Sequence, residues 1–160
     1  MRTIVVALLA SIVLFAPGVN AGQQKDTVKT PRAIDLQAIL SWKRVQSAVL
    51  SNDGVWFAYR HSPLEGNAEL VIRNTSSNKE LRYPAGDAEL GGSVAFSYDS
   101  KWLAYAIPPA AKDAKKLKKD KKPVQNKLGL VDLVNAKKQE FEKIQAYAFS
   151  EEDARWIAMH

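Results

Sequence analysis

The sequence contains no cysteine, which excludes disulfides, thiolate nucleophiles and cysteine-ligated zinc or iron–sulfur centres. Histidine is nearly as scarce. The two present, His61 and His160, sit in no readable pairing with a hydroxyl and a carboxylate, and triad chemistry needs all three groups together. A nucleophile elbow is missing as well, since Gly91-Gly92-Ser93-Val94-Ala95 lacks the second glycine of a Gly-x-Ser-x-Gly turn. The expectation is that these 160 residues hold no catalytic residue, no cofactor site and no metal ligand set. His61 then reads as a loop residue and His160 as a strand end.

Long apolar runs are also absent, with one exception. Ile4 to Phe15, interrupted only by Ser11, follows Arg2 and precedes Pro17-Gly18 and the small-residue ending Val19-Asn20-Ala21. At about 1.5 Å per helical residue the run reaches roughly 18 Å, short of a hydrocarbon core of about 30 Å. The pattern predicts a cleaved signal peptide over residues 1–21 and an exported chain, periplasmic or extracellular, starting near Gly22. Residues 22–32 are polar and read as an unstructured lead-in, and Ile34, Leu36, Ile39 and Leu40 predict a short helix near 33–41.

The net charge of +6 is local rather than global. Between Ala111 and Pro123 stand seven lysines against Asp113 and Asp120, a surplus of +5, and Arg2 supplies the remaining unit. Leu117 is the sole apolar residue of any size in that run, so the sequence predicts a solvated loop insertion over 110–127, able to attract acidic peptides at long range. Neither nucleic acid nor a membrane, once the signal is removed, is expected as a partner.

What the chain does have is a repeat. Ser51-Asn52-Asp53-Gly54-Val55-Trp56-Phe57-Ala58-Tyr59 returns as Ser97-Tyr98-Asp99-Ser100-Lys101-Trp102-Leu103-Ala104-Tyr105. It returns again, one residue longer, as Ser150-Glu151-Glu152-Asp153-Ala154-Arg155-Trp156-Ile157-Ala158-Met159. Each copy follows a short apolar run, so each reads as strand, polar turn, aromatic-rich strand. Asp53, Asp99 and Asp153 fall where a carboxylate can accept turn N–H bonds, and Trp56, Trp102 and Trp156 where a core residue is wanted. The copies begin at residues 51, 97 and 150, spacings of 46 and 53, in or just above the range of roughly 40 to 50 residues for propeller blades.

Further strands extend the repeat: 69–74 and 79–83 in the first unit, 128–134 and 139–144 in the second. The reading is all-β, a partial β-propeller of about two and a half four-stranded antiparallel blades over 33–160. Blade 1 covers about 45–84, blade 2 about 92–144, and a third blade begins at about 145–160. Trp56 to Tyr59 and Trp102 to Tyr105 are apolar on both faces, which predicts strands covered on both sides. Closed propellers have about four to eight blades. The expectation is an amino-terminal piece of a longer protein.

These Ser-x-Asp-Gly-x-Trp stretches resemble the blade repeat of the propeller in the prolyl oligopeptidase (S9-type) family of serine peptidases, and the WD40-like repeat of TolB-type propellers. Leu40-Ser41-Trp42-Lys43-Arg44-Val45, running into Ala48-Val49-Leu50, is similar to the lead-in of the first blade in exported members of that family. The resemblance covers residues 34–160 and implies a non-catalytic propeller that gates peptide substrates for a downstream α/β-hydrolase domain. Dipeptidyl-peptidase members hold the substrate amino terminus with a Glu pair. Glu151-Glu152 falls in the turn of the third copy, and that role is not carried over. The alternative is a TolB-like propeller that binds a protein partner without catalysis.

Overall fold

The structure, a computed structural model, describes residues 34–152 and 154–160. The expected signal peptide, the lead-in 22–32 and Asp153 lie outside the described residues. Asp35 starts a short helix, α1 (Leu36–Leu40), by accepting a hydrogen bond from the Ala38 N–H at 2.7 Å, as a carboxylate does at a helix start. Four strands follow as an antiparallel meander: β1 (Lys43–Leu50), β2 (Trp56–Pro63), β3 (Asn67–Asn74) and β4 (Glu80–Asp87). A second meander repeats the order with β5 (Val94–Phe96), β6 (Trp102–Ile107), β7 (Lys127–Asp132) and β8 (Lys137–Phe141). A hairpin, β9 (Tyr147–Phe149) with β10 (Ile157–Met159), comes last. The fold is all-β, with wholly antiparallel pairing.

Register carries the repeat into three dimensions. Trp56 stands opposite Asn74 and Ala58 opposite Ile72; in the second sheet Trp102 stands opposite Asp132 and Ala104 opposite Leu130. Phe96 pairs with Leu103 as Phe149 pairs with Ile157. Equivalent residues therefore occupy equivalent places, and the faces they form pack together. Trp56, Ala58, Leu70 and Ile72 of the first sheet meet Leu103, Tyr105, Val131 and Leu133 of the second in one core. Burying each large aliphatic side chain there contributes about 1.5–3 kcal/mol.

The double-sided cover expected of the aromatic-rich strands holds for β6, where Leu103, Ala104 and Tyr105 have no exposed surface. One side is closed by the first sheet and the other by the last hairpin, whose Tyr147 hydroxyl donates to the Ala104 carbonyl at 3.2 Å. On β2 the pattern alternates instead: Trp56, Ala58, Arg60 and Ser62 are buried, whereas Phe57, Tyr59 and His61 are half-buried. Among the described residues the first sheet has a neighbouring sheet on one face alone.

The lysine run is not a loop: residues Ala111–Lys119 form a helix, α2, seated on Ala114, with Ala111 and Leu117 half-buried beside it. Alanine and lysine are strong helix formers, and an i, i+3, i+6 stripe of two alanines and one leucine suffices as a docking face. Trp156, read as core, is 72% exposed. Trp56 is buried and Trp102 half-buried, so this correction concerns the third copy alone.

Candidate functional site

The first two repeated turns share one pattern of hydrogen bonds. Ser51 accepts the Gly54 N–H on its carbonyl at 2.9 Å, which leaves the Trp56 N–H without that oxygen. The Ser51 hydroxyl takes its place, accepting from Trp56 N at 2.9 Å and donating in turn to Asp53 Oδ1 at 2.5 Å. Asp53 Oδ1 also accepts from Val55 N at 3.0 Å. In the second copy Trp102 N donates to Ser97 Oγ at 3.0 Å, Ser97 Oγ to Asp99 Oδ1 at 2.7 Å, and Lys101 N to the same carboxylate at 3.2 Å. Gly54 (φ 72°) and Ser100 (φ 60°) sit at the same left-handed position, where glycine is at ease and serine is strained.

Electrostatics follow from this bonding. The Ser51 hydroxyl and then the Val55 N–H hold the Asp53 carboxyl below its ordinary value. Burial pushes Asp99 up, but the bonds from Ser97 and Lys101 outweigh it, and the net shift is again downward. Asp53 and Asp99 thus serve the turn role expected of them. The two turns are also bonded to each other: Asn52 Nδ2 donates to the Tyr98 carbonyl at 3.1 Å and Asp53 N to Ser100 Oγ at 3.2 Å.

A cleft of about 550 Å³ opens at the opposite end of the sheets, beneath α2. Its apolar lining includes Pro84, Ile107, Pro108, Pro109, Leu117 and Pro123, and Asp113, Lys127, Glu140 and Glu142 supply charge. Gly86 makes it possible, because a Cβ there would collide with the Pro108 carbonyl, and its φ of 68° suits glycine. Ala110 offers no side-chain cap to α2, so Asn67 Oδ1 accepts the Ala111 N–H at 2.8 Å and fixes the start of the helix. Lys127 Nζ lies 2.8 Å from Glu142 Oε1, a bond that raises its pKa. Tyr105, beside this end, donates its hydroxyl to the Pro84 carbonyl at 3.3 Å and is pushed well above the ordinary phenol value by burial, then by Glu140 and Tyr83.

The cleft has the volume of a ligand pocket, and its lining contains no serine, histidine or cysteine. His61 lies on β2, half-buried with Nδ1 unpartnered and its ring edge-on to Tyr59; His160 lies beyond β10, its carbonyl accepting from Gln145 N and Ala146 N. His61 is a strand residue rather than the loop residue expected. Glu151 and Glu152 are exposed in the turn between β9 and β10. No group of three or more potential metal ligands occurs among the described residues. The sequence does not show the cleft, because its roof has the composition of a solvated loop; the tripeptide Pro108-Pro109-Ala110 before an alanine-lysine run is the signal for a helix start there.

No protein-family model matches the chain, and no curated protein matches it.

Proposed function

We propose that this chain is the non-catalytic propeller portion of an exported serine peptidase of the prolyl oligopeptidase type, binding and gating peptides for an α/β-hydrolase domain encoded outside it. The observation that carries the reading is the bond between one turn and its equivalent, Asn52 to Tyr98 and Asp53 to Ser100. Meanders joined face to face through equivalent residues, repeated, generate a radial array of blades. The mostly exposed β1 supports this too, as the innermost strand of each blade borders an open channel. Peptides would meet the proline-lined cleft, whose volume falls within the range of ligand pockets, about 300–1,000 Å³. The five lysines of α2 would favour acidic segments.

The test is a fluorophosphonate label applied to the full-length protein and to this chain alone. The reading expects a labelled serine beyond residue 160 and none within it. A full-length protein that stays unlabelled, with further repeats and no Gly-x-Ser-x-Gly turn in its reading frame, would replace the peptidase with a TolB-like binding module. A label on the present chain would remove both.

A further inference from the structure

The lysines of α2 are not spread evenly around it. At 3.6 residues per turn Lys112, Lys115, Lys116 and Lys119 fall on one stripe, spaced i, i+3, i+4 and i+7, and all four are exposed. The stripe lies on the opposite side of the helix from Ala114 and Leu117, its seated side. It is also clear of the cleft, whose lining takes Asp113 and Leu117 from α2 and none of its lysines. We propose that this stripe is a docking surface for the anionic headgroups of a lipid bilayer, on which the protein rests peripherally. The inference stands apart from the peptidase reading.

The charge on this surface is uncompensated. Lys115 Nζ meets Glu65 at 3.7 Å in an exposed pair, and Lys112, Lys116 and Lys119 ion-pair with no described residue. The surplus of +5 between Ala111 and Pro123 is nearly the whole +6 of the chain. The charge is also presented by an ordered backbone, since Asn67 Oδ1 fixes the first turn of α2 from β3 and Ala114 is buried beneath it. Four or more basic residues gathered on one helix are the pattern that the negative potential of an anionic leaflet attracts.

Geometry favours a bilayer over an acidic polypeptide. A diffusing acidic segment feels the same field at a distance. The stripe, however, is the convex outer surface of a helix, so a peptide laid on it would surrender its own chain freedom for exposed pairs that salt screens. A bilayer surrenders little, because its headgroups already form a charged plane and rearrange within it. The sequence argued against a membrane because the lysine run has no apolar face to enter one. Contact through charge needs no entry. Leu64, exposed in the loop that brings Glu65 to Lys115, adds one apolar side chain at the margin.

The chain contains no cysteine, so Lys118→Cys and Ser76→Cys each give one attachment point for an environment-sensitive dye, the first on α2 and the second in the β3–β4 turn. With vesicles of equal parts phosphatidylglycerol and phosphatidylcholine at about 0.1 M salt, the proposal expects a blue shift at position 118 and none at 76. Phosphatidylcholine alone should shift neither. Replacing the four stripe lysines with Gln is expected to weaken partitioning to the anionic vesicles by roughly 100-fold. Replacing them with Arg should preserve it, and both residues are strong helix formers, so α2 persists. Gln at Lys43, Lys79, Lys101 and Lys137, also exposed, removes equal charge elsewhere and should weaken partitioning by about threefold or less. The apolar run from Ile4 to Phe15 is present in every form, so the comparison reads α2. Equal weakening by the two Gln sets, or an unmoved dye at position 118, overturns the proposal. So does a dye at 118 that responds to polyglutamate and not to the vesicles, because the surface would then belong to an acidic polypeptide.

Discussion

Trp56 and Trp156 hold the same place in the repeat, yet one is 9% and the other 72% exposed. Their hairpins are alike; their neighbours are not. Between the first and second sheets the seam is closed by Val131 and Leu133, by the bonds between turns, and by Arg60, which reaches across to the Ala106 carbonyl at 3.4 Å. Between the second sheet and the last hairpin the described contacts are fewer: the Tyr147 hydroxyl on Ala104, and a hollow where the first seam has aliphatic side chains. The comparison teaches that a repeat residue is buried by the next unit and not by its own.

The largest test of that lesson is truncation of the tryptophans. Trp56→Ala empties a closed site and is expected to cost about 3–5 kcal/mol. Trp156→Ala should stay within about 0.5 kcal/mol, as a surface change does, and Trp102→Ala should fall between. Urea midpoints of the three variants measure this. Equal losses at Trp56 and Trp156 would mean that the hairpin, not the seam, sets the energy.

That gradient also marks the limit of what was legible in the sequence. Periodicity and the Ser-x-Asp turns gave the strands, because strand and turn preferences act within a few residues. Whether a given tryptophan is covered depends on a sheet some 46 residues away, as the Asn52–Tyr98 bond illustrates, and the repeat motif alone therefore does not reveal that Trp156 is exposed. α2 is hidden from the sequence for a different reason: its docking face is two alanines and one leucine, too little apolar surface to stand out, and its anchor, Asn67, opens β3, far away in the chain. The cleft beneath it depended on that helix and was invisible with it. The turn carboxylates were legible because Ser51, Asp53 and Trp56 bond to one another locally.

A second test concerns Arg60, fully buried and answered by main-chain carbonyls: Ala106 O at 3.4 Å and Asp87 O at 3.2 Å, with Nε unpartnered. Burial holds its pKa below the ordinary guanidinium value, against the pull of Asp87 and Tyr105. A buried charge with so few partners is costly to desolvate. Arg60→Met, which keeps the volume, is expected within about 1 kcal/mol of the parent, and Arg60→Ala to lose about 2–4 kcal/mol through the cavity. If Met is as damaging as Ala, the guanidinium bonds rather than the packing hold the first seam.

Smaller effects belong to the turn serines. Ser51→Ala and Ser97→Ala each strand a tryptophan N–H that the hydroxyl now accepts, and each is expected to cost about 1–2 kcal/mol. Ser150 stands at the same place in the third copy, but its Oγ is buried without a partner. Ser150→Ala should therefore be neutral within about 0.5 kcal/mol, or mildly stabilising. A loss at Ser150 equal to that at Ser51 would show that the third turn forms the same relay in solution.

The smallest effect is one of pH, and its sign follows from the turn carboxylates. Asp53 and Asp99 have folded pKa values below the ordinary one, so the stability they contribute is present above the usual carboxylate value of about 4. It is lost as pH falls through their depressed folded values. Asn at either position can still accept the turn N–H bonds through Oδ1, but carries no charge to titrate. The Asp53→Asn, Asp99→Asn double variant is thus expected to be somewhat less stable than the parent at pH 7 and to lose less between about pH 4 and 2. Flattening will be partial, because Asp132, bonded by Asn135, and Glu140, bonded by Lys138, are lowered as well. Urea midpoints across that range decide the matter: parallel curves for parent and double variant would assign the acid sensitivity to those other carboxylates and leave the repeated turns with a purely geometric role.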